Sequence, residues 1–159
     1  MKAGDSATNG STSARLGPAR FSFHHGGVSV PNLDESIEWY RSVLGFELET
    51  RVHLAHIPAD IAFIRNGDMR MELFELAGAT PLPESRRIPD EDLMTHGNKH
   101  VAFVVDDARQ FAAELAQRGA DVVWVRDMPD GTAAFVRDNS GNLIEFLNGP
   151  APKGVAGAL

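Results

Sequence analysis

The feature that most constrains the fold of this chain is an internal repeat that returns a histidine and a glutamate in each copy. In the first copy His25 opens the segment His-Gly-Gly-Val-Ser-Val, and Glu72 follows 47 residues later in Met-Glu-Leu-Phe-Glu. In the second copy His100 opens His-Val-Ala-Phe-Val-Val, and Glu145 follows 45 residues later in Ile-Glu-Phe-Leu. Imidazole and carboxylate groups are common ligands of divalent metals. The repeat therefore predicts one metal site, built by pairing the two copies, and favours an enzyme.

Composition and charge narrow the class of protein further. With 159 residues the chain is long enough for one domain or two small modules with a real core. A net charge of −7 argues against a nucleic-acid partner, and the absence of cysteine excludes disulfides, thiolate ligands and a cysteine nucleophile. No apolar run approaches the roughly 18 residues of a membrane helix, and the first 20 residues lack the apolar core of a signal peptide. The sequence thus predicts a cytoplasmic protein with no membrane partner.

Composition also predicts where the ordered domain begins and ends. Residues 1–20 and 150–159 are rich in small and polar side chains, which bury too little surface to offset their chain entropy, so both are predicted to be disordered tails. Between them we predict module one at 21–76, a connecting segment at 77–99 and module two at 100–149. That segment of about 23 residues is long for a plain connection, which favours a position over a site or a partner surface.

Each copy reads as strand, helix and three further strands. In the first copy the predicted strands are Phe21–Val30, Phe46–Val52, Ile61–Arg65 and Met69–Leu76, with a helix that Asn32 caps and Gly45 ends. In the second copy the predicted strands are His100–Val105, Val122–Val125, Thr132–Arg137 and Leu143–Leu147, with a helix that Asp106 or Asp107 caps and Gly119 ends.

The alternation of side chains along these strands indicates which of the four candidate ligands share a face. His25 alternates onto the face of Gly27 and Ser29, which is not aliphatic. Glu72 and Glu145 each lie between apolar neighbours that suit a core on the opposite face. His100 opens a continuous apolar run, so the pattern leaves its face open. Two imidazoles and two carboxylates suit Zn, Ni, Co, Mn or Fe(II).

Taken singly, each candidate has a plainer interpretation. A strand histidine is more often a hydrogen-bonded core residue than a ligand, and a glutamate beside apolar residues more often faces solvent. The recurrence of both residues in both copies, at nearly equal spacing, favours the ligand set over these separate interpretations.

Three motifs resemble the vicinal oxygen chelate superfamily, which includes glyoxalase I, methylmalonyl-CoA epimerase, extradiol dioxygenases and bleomycin-resistance proteins. They are His-x-x-Val-x-Val-Pro-Asn-Leu-Asp from His25, Ile-Glu-Trp-Tyr-Arg-x-Val-Leu-Gly-Phe from Ile37, and Asp-x-x-Gly-Asn-x-Ile-Glu-Phe from Asp138. The resemblance covers residues 21–149. It implies an α+β fold in which two tandem βαβββ modules form a cupped mixed sheet around a metal site. By position, the implied metal ligands are the four residues of the repeat: His25, Glu72, His100 and Glu145.

The resemblance also implies a set of activities. Glyoxalase I has a glutamate at the position of Glu72, whereas the related acyl-CoA epimerases usually have a glutamine there. Dioxygenases of the family typically use three ligands in longer chains, and bleomycin-resistance proteins usually lack the ligand set.

The leading expectation is a metal-dependent epimerase or isomerase that abstracts a proton next to a carbonyl through a metal-bound enediolate. Glu72 and Glu145 would serve as alternating bases, on a small sugar- or cyclitol-like hydroxyketone or on an acyl thioester. The alternatives are a glyoxalase I-like lyase acting on a hemithioacetal, a non-catalytic drug-binding resistance protein and an Fe(II) dioxygenase. A homodimer is predicted, and the sequence leaves open whether the modules pair within one chain or across the dimer.

Several other residues receive weaker assignments. His96 is interpreted as a solvated loop histidine or as a proton-transfer or substrate-contact group, and Glu75 as structural because alternation places it opposite Glu72. Four arginines are interpreted as surface groups or as ligands of an anionic substrate or a CoA phosphate: Arg65, Arg70, Arg86 and Arg87. Two aromatic residues are predicted to pack a helix: Trp39 and Tyr40. Three histidines without a repeat partner receive no role: His24, His53 and His56.

Overall fold

A computed structural model describes residues 22–149 of the chain. The two tails predicted at 1–20 and 150–159, and Phe21, lie outside the described residues. Module one contains four strands and one helix: β1 (Gly26–Ser29), α1 (Leu33–Leu44), β2 (Glu47–Leu54), β3 (Ala59–Asn66) and β4 (Met69–Leu76). The connecting segment contains a 3-10 turn at Glu84–Arg87 and the short helix α2 (Pro89–Asp92). Module two repeats module one: β5 (Val101–Val104), α3 (Ala108–Gln117), β6 (Asp121–Met128), β7 (Gly131–Arg137) and β8 (Leu143–Asn148).

Each module builds its own four-stranded mixed sheet. The strand orders are β1-β4-β3-β2 in module one and β5-β8-β7-β6 in module two, so the first strand of each module lies beside the last. That pair is parallel, and the other pairs are antiparallel. The α+β fold of two βαβββ modules predicted from the repeat is confirmed, with one sheet per module.

Both long helices begin and end where local sequence signals place them. The Asn32 side chain accepts a hydrogen bond from the Glu35 amide at 2.9 Å, and Gly45 ends α1 in the left-handed conformation with φ of 71°. In α3 the cap is Asp107, which accepts from the amides of Arg109 and Gln110. Of the two caps predicted for the second helix, Asp107 is therefore the one used.

The first strand of each module is shorter than the alternation predicts. Phe21–Val30 was the predicted strand, but β1 begins only at Gly26, and β5 begins at Val101 rather than His100. Each of these strands has a single neighbour, and its ladder starts where that neighbour can pair, at Gly26 with Met71 and at Val101 with Ile144. Both histidines therefore lie one residue before the ladder begins.

One apolar core joins the two modules. It lies between the helices and the faces of the sheets that point toward them, and hydrophobic burial there is the main stabilising contribution. Residues of both modules form a single buried cluster: Val30, Leu33, Tyr40, Val43, Phe46, Ala62, Ile64, Met71, Leu73, Leu115, Val136, Ile144 and Phe146. The modules thus pack through their helix-bearing sides, and the opposite face of each sheet is left for a site.

The deepest polar contact between the modules joins Tyr40 to Asp138. The buried Tyr40 hydroxyl donates to Asp138 Oδ2 at 3.1 Å, across 98 residues of chain. Asp138 Oδ1 also accepts from the amides of Ser140 and Asn142, which fixes the β7–β8 loop. Burial, reinforced by the Asp138 carboxylate, raises the pKa of Tyr40 well above its ordinary value. Tyr40 packs the helix as predicted, and its hydroxyl also locks a distant loop.

The Tyr40→Phe variant tests this contact. At neutral pH we expect it to lower the free energy of unfolding by about 1 kcal/mol, because the buried Asp138 Oδ2 loses one of its two donors and keeps the Asn142 side-chain amide at 2.9 Å. The raised pKa of Tyr40 means that folding holds its proton more tightly, so this contribution is complete below about pH 10 and is lost as pH rises further. Urea unfolding at neutral and alkaline pH should therefore show a steeper alkaline loss in the wild type than in Tyr40→Phe. Tyr40 is the chain's one tyrosine, so tyrosinate absorbance follows it directly, and an ordinary titration would contradict the burial argument.

The connecting segment is ordered by a buried acid. Asp92 is 2% exposed and forms ion pairs with Arg86 and with Lys99, whose Nζ lies 3.6 Å from Asp92 Oδ1. The Lys99 ammonium also donates to the backbone oxygens of Asp92 and Thr95. A buried carboxylate needs such partners to remain charged, so these contacts hold 84–99 as a defined structure.

Among residues 22–149, no helix combines the length and the apolar character needed to cross a membrane.

Candidate metal centre

His25 and Glu72 form a close pair on the open face of the first sheet. Their Nε2 and Oε2 atoms are 3.0 Å apart, and the side chains are 31% and 13% exposed. The register explains the meeting, because Gly27 pairs with Glu72 across the β1–β4 ladder and His25 alternates onto the same face. Phe63, which pairs with Glu72 from the other side, presents its ring edge-on to the imidazole at 5.3 Å between centroids.

His100 and Glu145 repeat this arrangement in the second sheet. Their Nε2 and Oε2 atoms are also 3.0 Å apart, with exposures of 27% and 21%. Ala102 pairs with Glu145 in the β5–β8 ladder, and Phe135 packs edge-on against the His100 ring at 4.8 Å. The apolar run after His100 did not indicate on which face of the sheet this side chain lies. In the structure it lies on the same face as Glu145.

The face assignments made from alternation agree with burial. Met71 and Leu73, the neighbours of Glu72, are buried on the helix side of the sheet, and Ile144 and Phe146 are buried around Glu145 in the same way. Glu75 is also on the helix side, where its Oε2 accepts from the Leu33 amide at 2.7 Å at the start of α1. Its predicted structural role is confirmed.

The chemistry and spacing of each pair fit a metal. Nitrogen and oxygen ligands bind transition metals at about 2.1 Å, so neighbouring ligands at a right angle are ~3.0 Å apart. Each histidine–glutamate pair has that separation between its donor atoms. Within residues 22–149, however, no group of three or more His, Cys, Asp and Glu side chains is placed so that it could hold a metal ion. Each module therefore presents one histidine–glutamate pair, and in the described chain the two pairs do not form one cluster.

A second group of residues, around Arg70, lies beside the first pair, and the sequence did not distinguish Arg70 from the other candidate arginines. Arg70 lies two residues before Glu72 on the same face of β4, and its side chain is only 17% exposed, which is not the position of a solvated surface arginine. It contacts Glu49, His24 and the Phe63 ring. For the phenylalanine of this group the sequence did offer a signal, because a phenylalanine recurs in both copies. Phe63 precedes Glu72 by nine residues, and Phe135 precedes Glu145 by ten.

Three of the remaining candidates belong to the connecting segment, and the fourth, Arg65, lies on β3. His96 is exposed on the connecting segment. Arg86 is engaged by buried Asp92, and Arg87 lies against the β7–β8 loop, where its side chain approaches Gly141. Arg65 reaches Glu49 and so belongs to the group around Arg70.

Comparison with known proteins agrees with this arrangement. The sequence profile of the Glyoxalase/Bleomycin resistance protein/Dioxygenase superfamily matches residues 22–146. Two lactoylglutathione lyases of Neisseria meningitidis, from serogroups A and B, are each 32% identical to the chain over 128 residues, which cover 77% of this chain and 87% of the relative.

Solved structures show the same fold. A glyoxalase family protein from Enterococcus faecalis is similar with a TM-score of 0.67 at 21% identity, over 79% of this chain and 96% of that one. The trypanothione-dependent glyoxalase I of Leishmania major is similar with a TM-score of 0.60 at 23% identity, over 78% of this chain and 84% of that one.

The paired modules, their sheet order and the repeated site define the vicinal oxygen chelate class of proteins. Within that class, the chain belongs to the Glyoxalase/Bleomycin resistance protein/Dioxygenase superfamily. The resemblance identified from the sequence motifs is confirmed. Members of this superfamily generally use a divalent metal.

Proposed function

We propose that this protein is a metal-dependent enzyme that moves a proton next to a substrate carbonyl. One observation carries the proposal: two histidine–glutamate pairs, one per module, each with its donor atoms 3.0 Å apart and each beside a phenylalanine ring. A drug-binding protein without a metal has no need of two matched pairs. An oxygen-activating dioxygenase is less well supported, because that chemistry typically uses two histidines and one carboxylate.

A second copy of the chain completes the site in this proposal. The outer edges of β1 and β5 have no strand neighbour among residues 22–149, and both border one cleft of about 430 Å³. Unpaired strand edges are places where another chain can add. In a twofold dimer, module one of one copy can lie beside module two of the other. His25 and Glu72 would then hold the metal together with the partner subunit's His100 and the partner subunit's Glu145.

The protein's side chains have defined tasks in such a site. When bound, a divalent metal supplies Lewis acidity that stabilises negative charge on two adjacent substrate oxygens. Glu72 and Glu145 are the proton carriers: one removes the proton from the carbon next to the carbonyl, and the same or the opposite carboxylate returns it. Phe63 and Phe135 orient the imidazoles edge-on and keep water from one side of each pair.

The substrate we place first is a hemithioacetal, as in a glyoxalase I-like lyase. This choice is supported by the two relatives that are 32% identical and named lactoylglutathione lyase. The proton leaves the carbon that bears the sulfur and returns to the neighbouring carbon, so a hemithioacetal becomes a 2-hydroxy thioester without an external oxidant. Epimerisation of a hydroxyketone or an acyl thioester is the second candidate. It is favoured by the near-equivalence of Glu72 and Glu145, which suits removal from one face and return to the other.

One assay separates these reactions. Protein reconstituted with Zn, Ni, Co, Mn or Fe(II) is mixed with methylglyoxal and glutathione, and thioester absorbance is followed. In parallel, hydroxyketones and acyl thioesters are incubated in deuterated water, and label at the carbon next to the carbonyl is measured by NMR. Thioester formation that requires metal supports the lyase, and metal-dependent exchange without thioester supports the epimerase. Neither signal with any of the five metals would contradict the proposal.

A further inference from the structure

The two modules match at the ligand positions and differ two residues earlier on the glutamate strand. Arg70 precedes Glu72 by two residues in module one, whereas Leu143 precedes Glu145 by two in module two. Residues two apart on a strand share a face and lie ~6.6 Å apart along it. The repeat therefore places the Arg70 guanidinium beside the His25–Glu72 pair. It places the buried apolar side chain of Leu143 beside the His100–Glu145 pair.

The Arg70 guanidinium is held in one orientation by three neighbours. Its Nε donates to Glu49 Oε2 at 2.6 Å, and its Nη1 lies 2.8 Å from His24 Nε2. Its guanidinium carbon lies 4.2 Å from the centre of the Phe63 ring, a distance typical of a cation–π contact. The remaining nitrogen, Nη2, has no hydrogen-bond partner among residues 22–149.

Arg70 has to share its carboxylate partner. Glu49 also accepts from Arg65 at 3.3 Å, so two guanidinium groups share one carboxylate. These cations lower the pKa of Glu49, the Arg70 hydrogen bond being the largest cause, which keeps that carboxylate ionised. In module two, Arg137 occupies the position of Arg65 and bonds to Asp121 at 2.8 Å, while Leu143 occupies the position of Arg70. Arg70 therefore shares its carboxylate partner with a second cation, an arrangement that has no counterpart at these positions of module two.

The Phe63 ring connects this charge to the candidate metal centre. It contacts His25 edge-on at 5.3 Å and Arg70 at 4.2 Å, so the ligand imidazole and the guanidinium flank the same ring. We propose that Arg70 binds a carboxylate group of the substrate. In such a substrate, a short aliphatic spacer joins this carboxylate to the two adjacent oxygens that chelate the metal. The inference rests on the metal site of the proposed function, favours its second candidate reaction, and adds the substrate class: a small carboxylate-bearing carbonyl compound. Nη2 and the second N–H of Nη1 remain to donate two parallel hydrogen bonds, the arrangement by which a guanidinium binds a carboxylate.

Two matched chelators test the proposal without requiring turnover. Acetohydroxamate and succinic acid monohydroxamate present the same pair of adjacent oxygens, and only the second carries a carboxylate. Calorimetric titration of the Zn-loaded protein should give a dissociation constant on the order of tenfold lower for the succinic compound. Arg70→Met should remove this preference and leave acetohydroxamate binding unchanged. Glu49→Gln should increase the preference severalfold, because it removes the carboxylate that competes for Arg70.

The control is Arg51→Met, which removes the same charge from the same sheet. Arg51 pairs with Ala62 in the β2–β3 ladder and bonds to Asp34 of α1, so it lies on the helix side. We expect it to keep the wild-type preference. If acetohydroxamate binds but the succinic compound binds no tighter, or if Arg70→Met keeps the preference, the carboxylate site is wrong and the metal site stands. If acetohydroxamate fails to bind the Zn-loaded wild type, the metal site is wrong and the inference is overturned with it.

Discussion

Glu145→Ala is expected to lose most of its metal and nearly all of its activity. The alanine removes one of four proposed ligands and leaves His100 without its partner at 3.0 Å. Loss of a group that merely orients a ligand costs 10–100-fold in metal affinity, so loss of a ligand should cost at least about as much. Glu145 is also a proposed proton carrier, and removal of such a group lowers the rate by about 10²–10⁴-fold.

Mass spectrometry of the dialysed protein measures the first effect, and initial rates on the substrate identified in the assay above measure the second. We expect about one metal per chain in the wild type and less than roughly a tenth of that in Glu145→Ala. Glu114→Ala, an exposed carboxylate of α3, is the control that removes the same charge from the same module. Full metal content in Glu145→Ala would show that Glu145 is not a ligand.

Mixing two inactive variants is expected to restore activity if the site is shared between two copies of the chain. Glu72→Ala damages module one and Glu145→Ala damages module two. In a mixed dimer, one site combines both damaged modules, and the other combines two intact ones. With equal amounts and free exchange of subunits, half of the dimers are mixed and half of their sites are intact, so about one quarter of wild-type activity should return.

The alternative, a site formed within one chain, makes the opposite prediction. Every chain in the mixture then carries one damaged pair, and the activity stays at the level of the separate variants. The double variant Glu72→Ala/Glu145→Ala, mixed with either single variant, is the matched control, because no combination of those chains contains an intact site. Recovery in the main mixture, with none in the control, would establish the shared site.

Much of the fold follows from local sequence signals. Asn32 and Asp107 begin helices and Gly45 ends one because these residues satisfy or accommodate the backbone at a helix end without help from distant residues. The alternation around Glu72 and Glu145 placed both on the face away from the core, since a side-chain period of two is a property of any strand. These features were predicted because each depends on residues only a few positions apart.

Other features became visible only in the folded chain. The face of His100 depends on its ladder with β8, more than 40 residues away, and its apolar neighbours gave no indication. The short β1 reflects the single strand that it can pair with. The Tyr40–Asp138 contact joins residues 98 positions apart and has no local signature.

By itself, the sequence determined that two similar modules exist and that each carries a histidine and a glutamate facing away from its core. Periodicity and repetition encode this information directly. Only the tertiary structure decided that each pair closes to 3.0 Å, that the two pairs do not form one cluster in the described chain, and that Arg70 stands beside one of them. These outcomes depend on strand register and on packing between modules, where the energy comes from contacts among residues distant in sequence.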